Sequence, residues 1–320
     1  MSSSEKLYEL VFPTPSLSDV AGRGPILVHG LEGFSDAGRA VRQVTEHIRE
    51  HNHSELIAKF NPDELVDYRS RRPAMTYSYD HFVGYDQPQL SLHAITTPDD
   101  HTFLLLSGFE PDMKWEAFAA AVTHLSAEFG VKLAIGLGSM PLNVPHTRPI
   151  RSSAHSREIE LLEGFSTWPG EFKIPGSADS LLEVKLAEQG FSTMGFTAHV
   201  PHYLSQSEYP AAAIRLVEDV NRISGLGIAV GELETEQRKF DAALQVQVSG
   251  NAEIGQMVEG LEKNYDEILS ARESQNSLAP AEGPLPTGDE LGAELEQFLM
   301  QHGDEDADGD GPFGGNSSGN

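Results

Sequence analysis

Apolar and polar positions along this chain alternate between two rhythms. The short runs Ile26-Leu27-Val28 and Phe103-Leu104-Leu105-Leu106 are continuously apolar, as strands covered on both faces must be. Each run leads into a turn and then into a helical pattern. After Ile26–Val28 come glycines at 30, 33 and 38, then Ala37, Ala40, Val41, Val44 and Ile48, a spacing that predicts a helix from Ala37 to Glu50. After Phe103–Leu106 come Ser107-Gly108-Phe109-Glu110-Pro111 and a helix whose apolar face is Trp115, Phe118, Ala119, Val122 and Leu125. Gly130 stops it, Val131–Leu137 reads as the next strand, and a proline-rich loop follows from Gly138 to Pro149. Strand, helix, strand is a βαβ crossover, which predicts an α/β protein.

The remaining elements are shorter or less regular. Strands are predicted at Tyr8–Phe12, closed by Pro13 and Pro15, and at Glu55–Phe60. Asn61-Pro62-Asp63-Glu64 opens one short helix. Between residues 67 and 100 the spacing falls to two: Tyr68, Met75, Tyr77, Tyr79, Phe82, Val83 and Tyr85, then Leu90, Leu92, Ala94 and Ile95. This predicts a β-hairpin or meander. Ser156–Gly164 reads as helix, a short strand falls around Phe172, and Asp179–Gln189 is an amphipathic helix closed by Gly190. Phe191–Val200 is a strand that exits through Pro201-His202-Tyr203, and Tyr209–Ile223 is a helix. Glu232–Arg272 is one long helical stretch or a helical hairpin, broken near Gly250-Asn251.

Composition then divides the chain. Beyond Ser277 the acidic residues face no Lys or Arg, and Pro and Gly are frequent, which is the composition of disorder. Within that tail, Asp289–Gln301 carries Leu291, Leu295, Phe298 and Leu299 on one helical face that can dock on the body or on a partner. The expected organisation is a core domain over 1–230, a helical segment over 231–275 and an acidic, mostly disordered tail over 276–320. The formal net charge is -27, and clustered basic residues for a nucleic-acid surface are missing, so no nucleic-acid partner is expected. No run reaches the roughly 18 apolar residues of a membrane span. Met1–Lys6 has no basic-then-apolar signal pattern, so no membrane partner and a cytoplasmic location are expected. With 0 cysteines, disulfides and thiolate metal sites are excluded.

Three predicted strand exits carry chemistry. At the first, Gly33 and Gly38 allow close backbone approach, and Ser35 and Asp36 sit near a helix N-terminus, a setting for an anion or a hydroxylated ligand. Asp36 as a plain helix cap is the competing reading. Gly33 and Gly38 have P-loop separation, but Arg39 and Ala40 follow where Lys and Ser or Thr are needed, so a nucleotidase P-loop is rejected. At the second, Pro145 and Pro149 hold His146 and Arg148 extended. Arg148 offers a fork for carboxylate or phosphate, or else pairs with an acidic neighbour, and His146 can carry a proton. At the third, His199 and His202 fall on opposite faces, which argues against a metal pair. No metal and no cofactor are expected.

Taken together, these segments resemble the proteasome assembly chaperone 2 family in its actinobacterial branch. The resemblance rests on Gly33-Phe34-Ser35-Asp36-Ala37-Gly38, on Gly108-Phe109-Glu110-Pro111 with Trp115, on Pro145–Pro149, and on Pro201-His202-Tyr203, in that order. It implies an α/β/α sandwich like that of nucleoside phosphorylases and related hydrolases, with a helical C-terminal extension. It also implies a homo-oligomer, dimer or trimer, and a non-enzymatic assembly-chaperone role with a protein partner. Eukaryotic relatives dock on proteasome rings through a C-terminal hydrophobic-Tyr-any motif. This chain ends Asn316-Ser317-Ser318-Gly319-Asn320, so docking of that kind is not expected. The alternative function is a small-molecule binder or enzyme using a crevice at the strand exits. Its lining would be Gly33, Ser35, Asp36, Gly38, Glu110, His146, Arg148 and His202, with Arg148 holding an anion and His146 or Asp36 as acid or base.

Overall fold

The computed structural model describes residues 7–11, 15–168, 170–171 and 173–277. The chain forms two compact units, Met1–Asp266 and Glu267–Asn320. The described strands are β1 (Tyr8–Leu10), β2 (Ile26–Glu32), β3 (His53–Phe60), β4 (Met75–Ser78), β5 (His81–Tyr85), β6 (Leu90–Thr96), β7 (Thr102–Phe109), β8 (Leu133–Leu142), β9 (Ser152–Ser156) and β10 (Ser192–Pro201). The helices are α1 (Ala40–His51), α2 (Pro62–Leu65), α3 (Trp115–Glu128), α4 (Ala178–Glu188), α5 (Pro210–Ser224), α6 (Gly231–Ser249) and α7 (Ala252–Ser277). Among the described residues no helix is long and apolar enough to cross a membrane.

Eight strands form one mixed sheet in the order β1-β3-β6-β7-β2-β8-β10-β9. β7, β2, β8 and β10 run parallel at its centre, and the flanking pairs are antiparallel. Alternation assigns each central residue to a face. On β2, Ile26 and Val28 join a core with Val41 and Val44 of α1 and Leu216 and Val220 of α5. Leu27 and Leu31 join a second core with Phe118 and Val122 of α3 and Leu182 and Leu186 of α4. Helices thus cover both faces, which is why the central strands are mostly apolar, with buried polar exceptions such as His29 and Ser107. Each fully buried Leu or Val contributes about 1.5–3 kcal/mol.

Several expectations are corrected by long-range pairing. β2 runs on through Gly30 to Glu32, because it pairs with β7 as far as Glu32↔Phe109. Gly30 therefore lies within a strand, where α1 approaches so closely that a Cβ would stand 2.6 Å from Val41 Cγ1. Ala37–Arg39 is a 3₁₀ turn, and α1 begins at Ala40 because Gly38 and Arg39 are left-handed. The loop expected from Gly138 is strand to Leu142, held by β10. The helix expected over Ser156–Gly164 is replaced by the edge strand β9 before it and a 3₁₀ turn at Ile159–Leu162. The polar Ser152-Ser153-Ala154-His155-Ser156 has little apolar signal, and the ladder with β10 supplies what its composition does not. The 67–100 segment divides: β6 enters the main sheet, while β4 and β5 pair only with each other. Gly250-Asn251 separates α6 from α7, with Asn251 Oδ1 accepting from Glu253 N at 2.9 Å. Phe12, Phe172, the Asp289–Gln301 face and the tail from 278 lie outside the described residues.

Candidate functional site

Because β2, β7, β8 and β10 are parallel, their carboxyl ends share one edge of the sheet. Buried Glu110, one residue beyond β7, clamps this edge. Its Oε2 accepts from Phe34 N at 2.9 Å, and its Oε1 accepts from Ala178 N, the first residue of α4, at 2.8 Å. Gly33 is the residue this clamp requires, since a Cβ there would stand 2.6 Å from Glu110 Cβ. Ser35 O accepts from Ser139 N at 2.8 Å. Gly38, at φ 67°, donates to Ser205 O at 2.7 Å and accepts from Tyr209 N at 2.9 Å. Asp36 Oδ1 accepts from Val41 N at 2.7 Å in the first turn of α1, although the N-cap residue of that helix is Arg39 and Asp36 reaches it from before the 3₁₀ turn. Burial pushes its carboxyl up to about 7, despite the amides that favour its charge. The group borders a cleft of about 350 Å³ with Gly33, Arg39, Pro141 and Ser205. An acid poised there can give or take a proton at neutral pH.

The β8–β9 loop places His146 and Arg148 differently from each other. His146 N donates to Tyr203 Oη at 2.9 Å, and its Nδ1 lies 2.7 Å from the same oxygen. Burial holds its pKa below the usual histidine value. His202 packs edge-on against Tyr203, with ring centroids 5.4 Å apart. Arg148 is committed to α7. Its Nε and Nη2 bond the two oxygens of Asp266 at 2.9 and 2.7 Å, and Nη1 bonds Glu262 at 3.2 Å. A bidentate pair of this kind uses the planar fork that an anionic ligand would need. Tyr209 borders Arg148 and bonds Gly38, which links this loop to the β2 exit. His199 Nε2 lies 2.8 Å from Ser153 Oγ, on β9.

A second constellation was not foreseen from sequence. His29, Gly136, Gly195 and His155 form one row across β2, β8, β10 and β9, each the register partner of the next. All four face α4, which supplies Asp179 and Glu183 one turn apart. His29 Nδ1 donates to Asp179 Oδ1 at 2.8 Å, and His155 Nε2 donates to Glu183 Oε2 at 2.7 Å. Glu183 Oε1 occupies the space above the two glycines, and a Cβ at either position would collide with it. Burial pulls His29 down, but the charge and hydrogen bond of Asp179, with Glu183 beyond, outweigh it and hold its pKa above the ordinary value. His29 Nε2 has no hydrogen-bond partner among the described residues. The readable signals were a histidine inside an apolar strand and an acidic i, i+4 pair on a helix. Their meeting depends on strand register.

The PAC2 family model matches residues 30–248. The chain belongs to the PAC2 family. A Mycobacterium tuberculosis protein of unknown function, Rv2714, is 48% identical with a TM-score of 0.82, covering 85% of this chain and 92% of its own. A Corynebacterium glutamicum protein of unknown function is 38% identical with a TM-score of 0.78, covering 82% and 98%. Rv2125 of M. tuberculosis, described as a proteasome-assembly chaperone homologue, is 21% identical with a TM-score of 0.67, covering 73% and 99%. Nothing among the curated proteins matches the chain. The family match takes in the β2 exit, the Glu110 clamp and the His146–Arg148 loop, so the PAC2 segment contains the whole rim.

Proposed function

We propose that this PAC2 protein works as an assembly-chaperone-like protein, through contacts with other protein chains, and that its first contact is with a second copy of itself. The β4–β5 hairpin carries the proposal. Among the described residues it pairs with no other strand, and a lone two-stranded ribbon is only marginally stable in water. Met75, Tyr77, Tyr79, Phe82, Val83 and Tyr85 are all exposed on it, Tyr79 at 99% and Phe82 at 63%. Large exposed aromatics gathered on one projection are the composition of interface anchors. Arg69 and Arg72, exposed at the root of the hairpin, bring positive charge to a chain of net charge -27 and so favour an acidic surface such as a second copy presents. Family membership and the chaperone description of Rv2125 support the role. The layering of helices on both faces supports a sandwich of the nucleoside phosphorylase type.

A small-molecule function at the rim is the weaker reading, because Glu110 and Arg148 are both engaged inside the protein. Sedimentation velocity on the wild type and on Tyr79→Ser/Phe82→Ser tests the proposal. The wild type is expected as a dimer or trimer and the variant as a monomer with unchanged circular dichroism. A monomeric wild type, or an oligomer indifferent to both substitutions, refutes it.

A further inference from the structure

A cleft lies away from the strand exits, between α1, α5 and the start of α6. It encloses about 520 Å³ and is lined by His47, His51 and Glu232, with Glu46, Glu50 and Glu236 around them. His47 and His51 are one turn apart on α1, their rings stacked with centroids 4.5 Å apart. Glu232 enters from the first turn of α6. One ligand-capable atom from each of the three side chains lies within 4.8 Å of the other two.

The imidazoles are prepared by their hydrogen bonds. His47 Nε2 donates to Ala229 O at 2.7 Å, and His51 Nδ1 donates to His47 O at 3.0 Å. In each neutral ring the lone pair then rests on the other nitrogen, with a backbone carbonyl fixing tautomer and ring plane. Histidines that bind metals are oriented in this way. His47 is buried, whereas His51 and Glu232 are exposed.

We propose that His47, His51 and Glu232 bind a single late first-row divalent cation of the Zn²⁺ class, with a water from the cleft completing the shell. Two nitrogens and one carboxylate oxygen suit Zn²⁺, whereas Mg²⁺ and Ca²⁺ take oxygen ligands. Zinc bonds of about 2.0–2.1 Å require ligand atoms roughly 3.3 Å apart, so separations of up to 4.8 Å must close by up to about 1.5 Å, through the exposed His51 and Glu232 side chains. Glu46, Glu50 and Glu208 outweigh Lys239, which pairs with Glu236, and raise the local cation concentration. The bound cation ties α1 to the first turn of α6 and leaves a coordination position facing the cleft.

The test uses tag-free, full-length protein, because 13 histidines and 49 acidic residues offer weak sites elsewhere. Zn²⁺ binding is measured by equilibrium dialysis, and Co²⁺ binding by its visible absorption. Wild type, His51→Ala, Glu232→Gln and the control His81→Ala are compared, with folding checked by circular dichroism. One tight Zn²⁺ site is expected in the wild type and in His81→Ala. It should weaken at least about tenfold in both His51→Ala and Glu232→Gln, with Mg²⁺ failing to compete. The proposal is overturned if either variant keeps wild-type affinity, or if Mg²⁺ binds equally well.

Discussion

Replacing Asp36 by Asn should leave stability almost unchanged near the ordinary carboxyl value of 3.8 and raise it progressively up to about 7, beyond which the gain is constant. The native carboxyl titrates near 7 against an ordinary 3.8, because burial disfavours its charge. Between those values the unfolded chain is ionised at this position while the native chain holds the proton. The native state binds more protons, so stability falls as pH rises through the window, by about 1.4 kcal/mol per unit. Across the whole window the ceiling is roughly 4 kcal/mol. The carboxyl retains some contact with water, which brings the expected effect to roughly 2–3 kcal/mol. An asparagine oxygen can still accept from Val41 N, so that hydrogen bond survives while the titration is lost. Urea unfolding at pH 4, 5, 6, 7 and 8, followed by circular dichroism, gives the difference between the two proteins. His29, whose pKa is also raised, contributes to both and cancels, whereas Glu32 lies close enough to Asp36 to repel its charge, so relief of that repulsion is part of the measured difference. Parallel stability curves for wild type and Asp36→Asn across this range would refute the reasoning.

Other outcomes follow from the same contacts. Glu110→Ala strips the acceptor from Phe34 N and Ala178 N, and should cost roughly 2–6 kcal/mol at about 1–3 for each stranded amide, read as a lower melting temperature. Gly136→Ala places a Cβ against Glu183 Oε1 and 2.9 Å from His29 Cε1, and should destabilise by about 2 kcal/mol or more. Gly138→Ala, whose nearest neighbour would be Ser35 Cβ at 3.6 Å, should be tolerated in the same melt, and equal losses would count against the His29 row. Arg148→Met should speed amide hydrogen exchange over Ala252–Asp266 while leaving the core strands protected. That gain should shrink as salt screens the pairs in the wild type.

Local physics made much of the fold readable. A strand buried on both faces is mostly apolar, so the runs in β2 and β7 stood out, and α1, α3, α4 and α5 showed their inward faces through the helical period. The Gly33–Gly38 turn and Glu110 could be located as strand exits for the same reason. The sequence could not show how those polar groups are used. Glu110 is consumed by two amides, and Arg148 by carboxylates on α7 more than a hundred residues away. A polar edge strand such as β9 has no local signature, because its stability comes from the neighbour it pairs with. The alignment of His29 with Gly136, Gly195 and His155, and of His47 and His51 with Glu232, depends on strand register and helix docking. Both are set by contacts between distant segments, so only the tertiary structure decides which side chains meet.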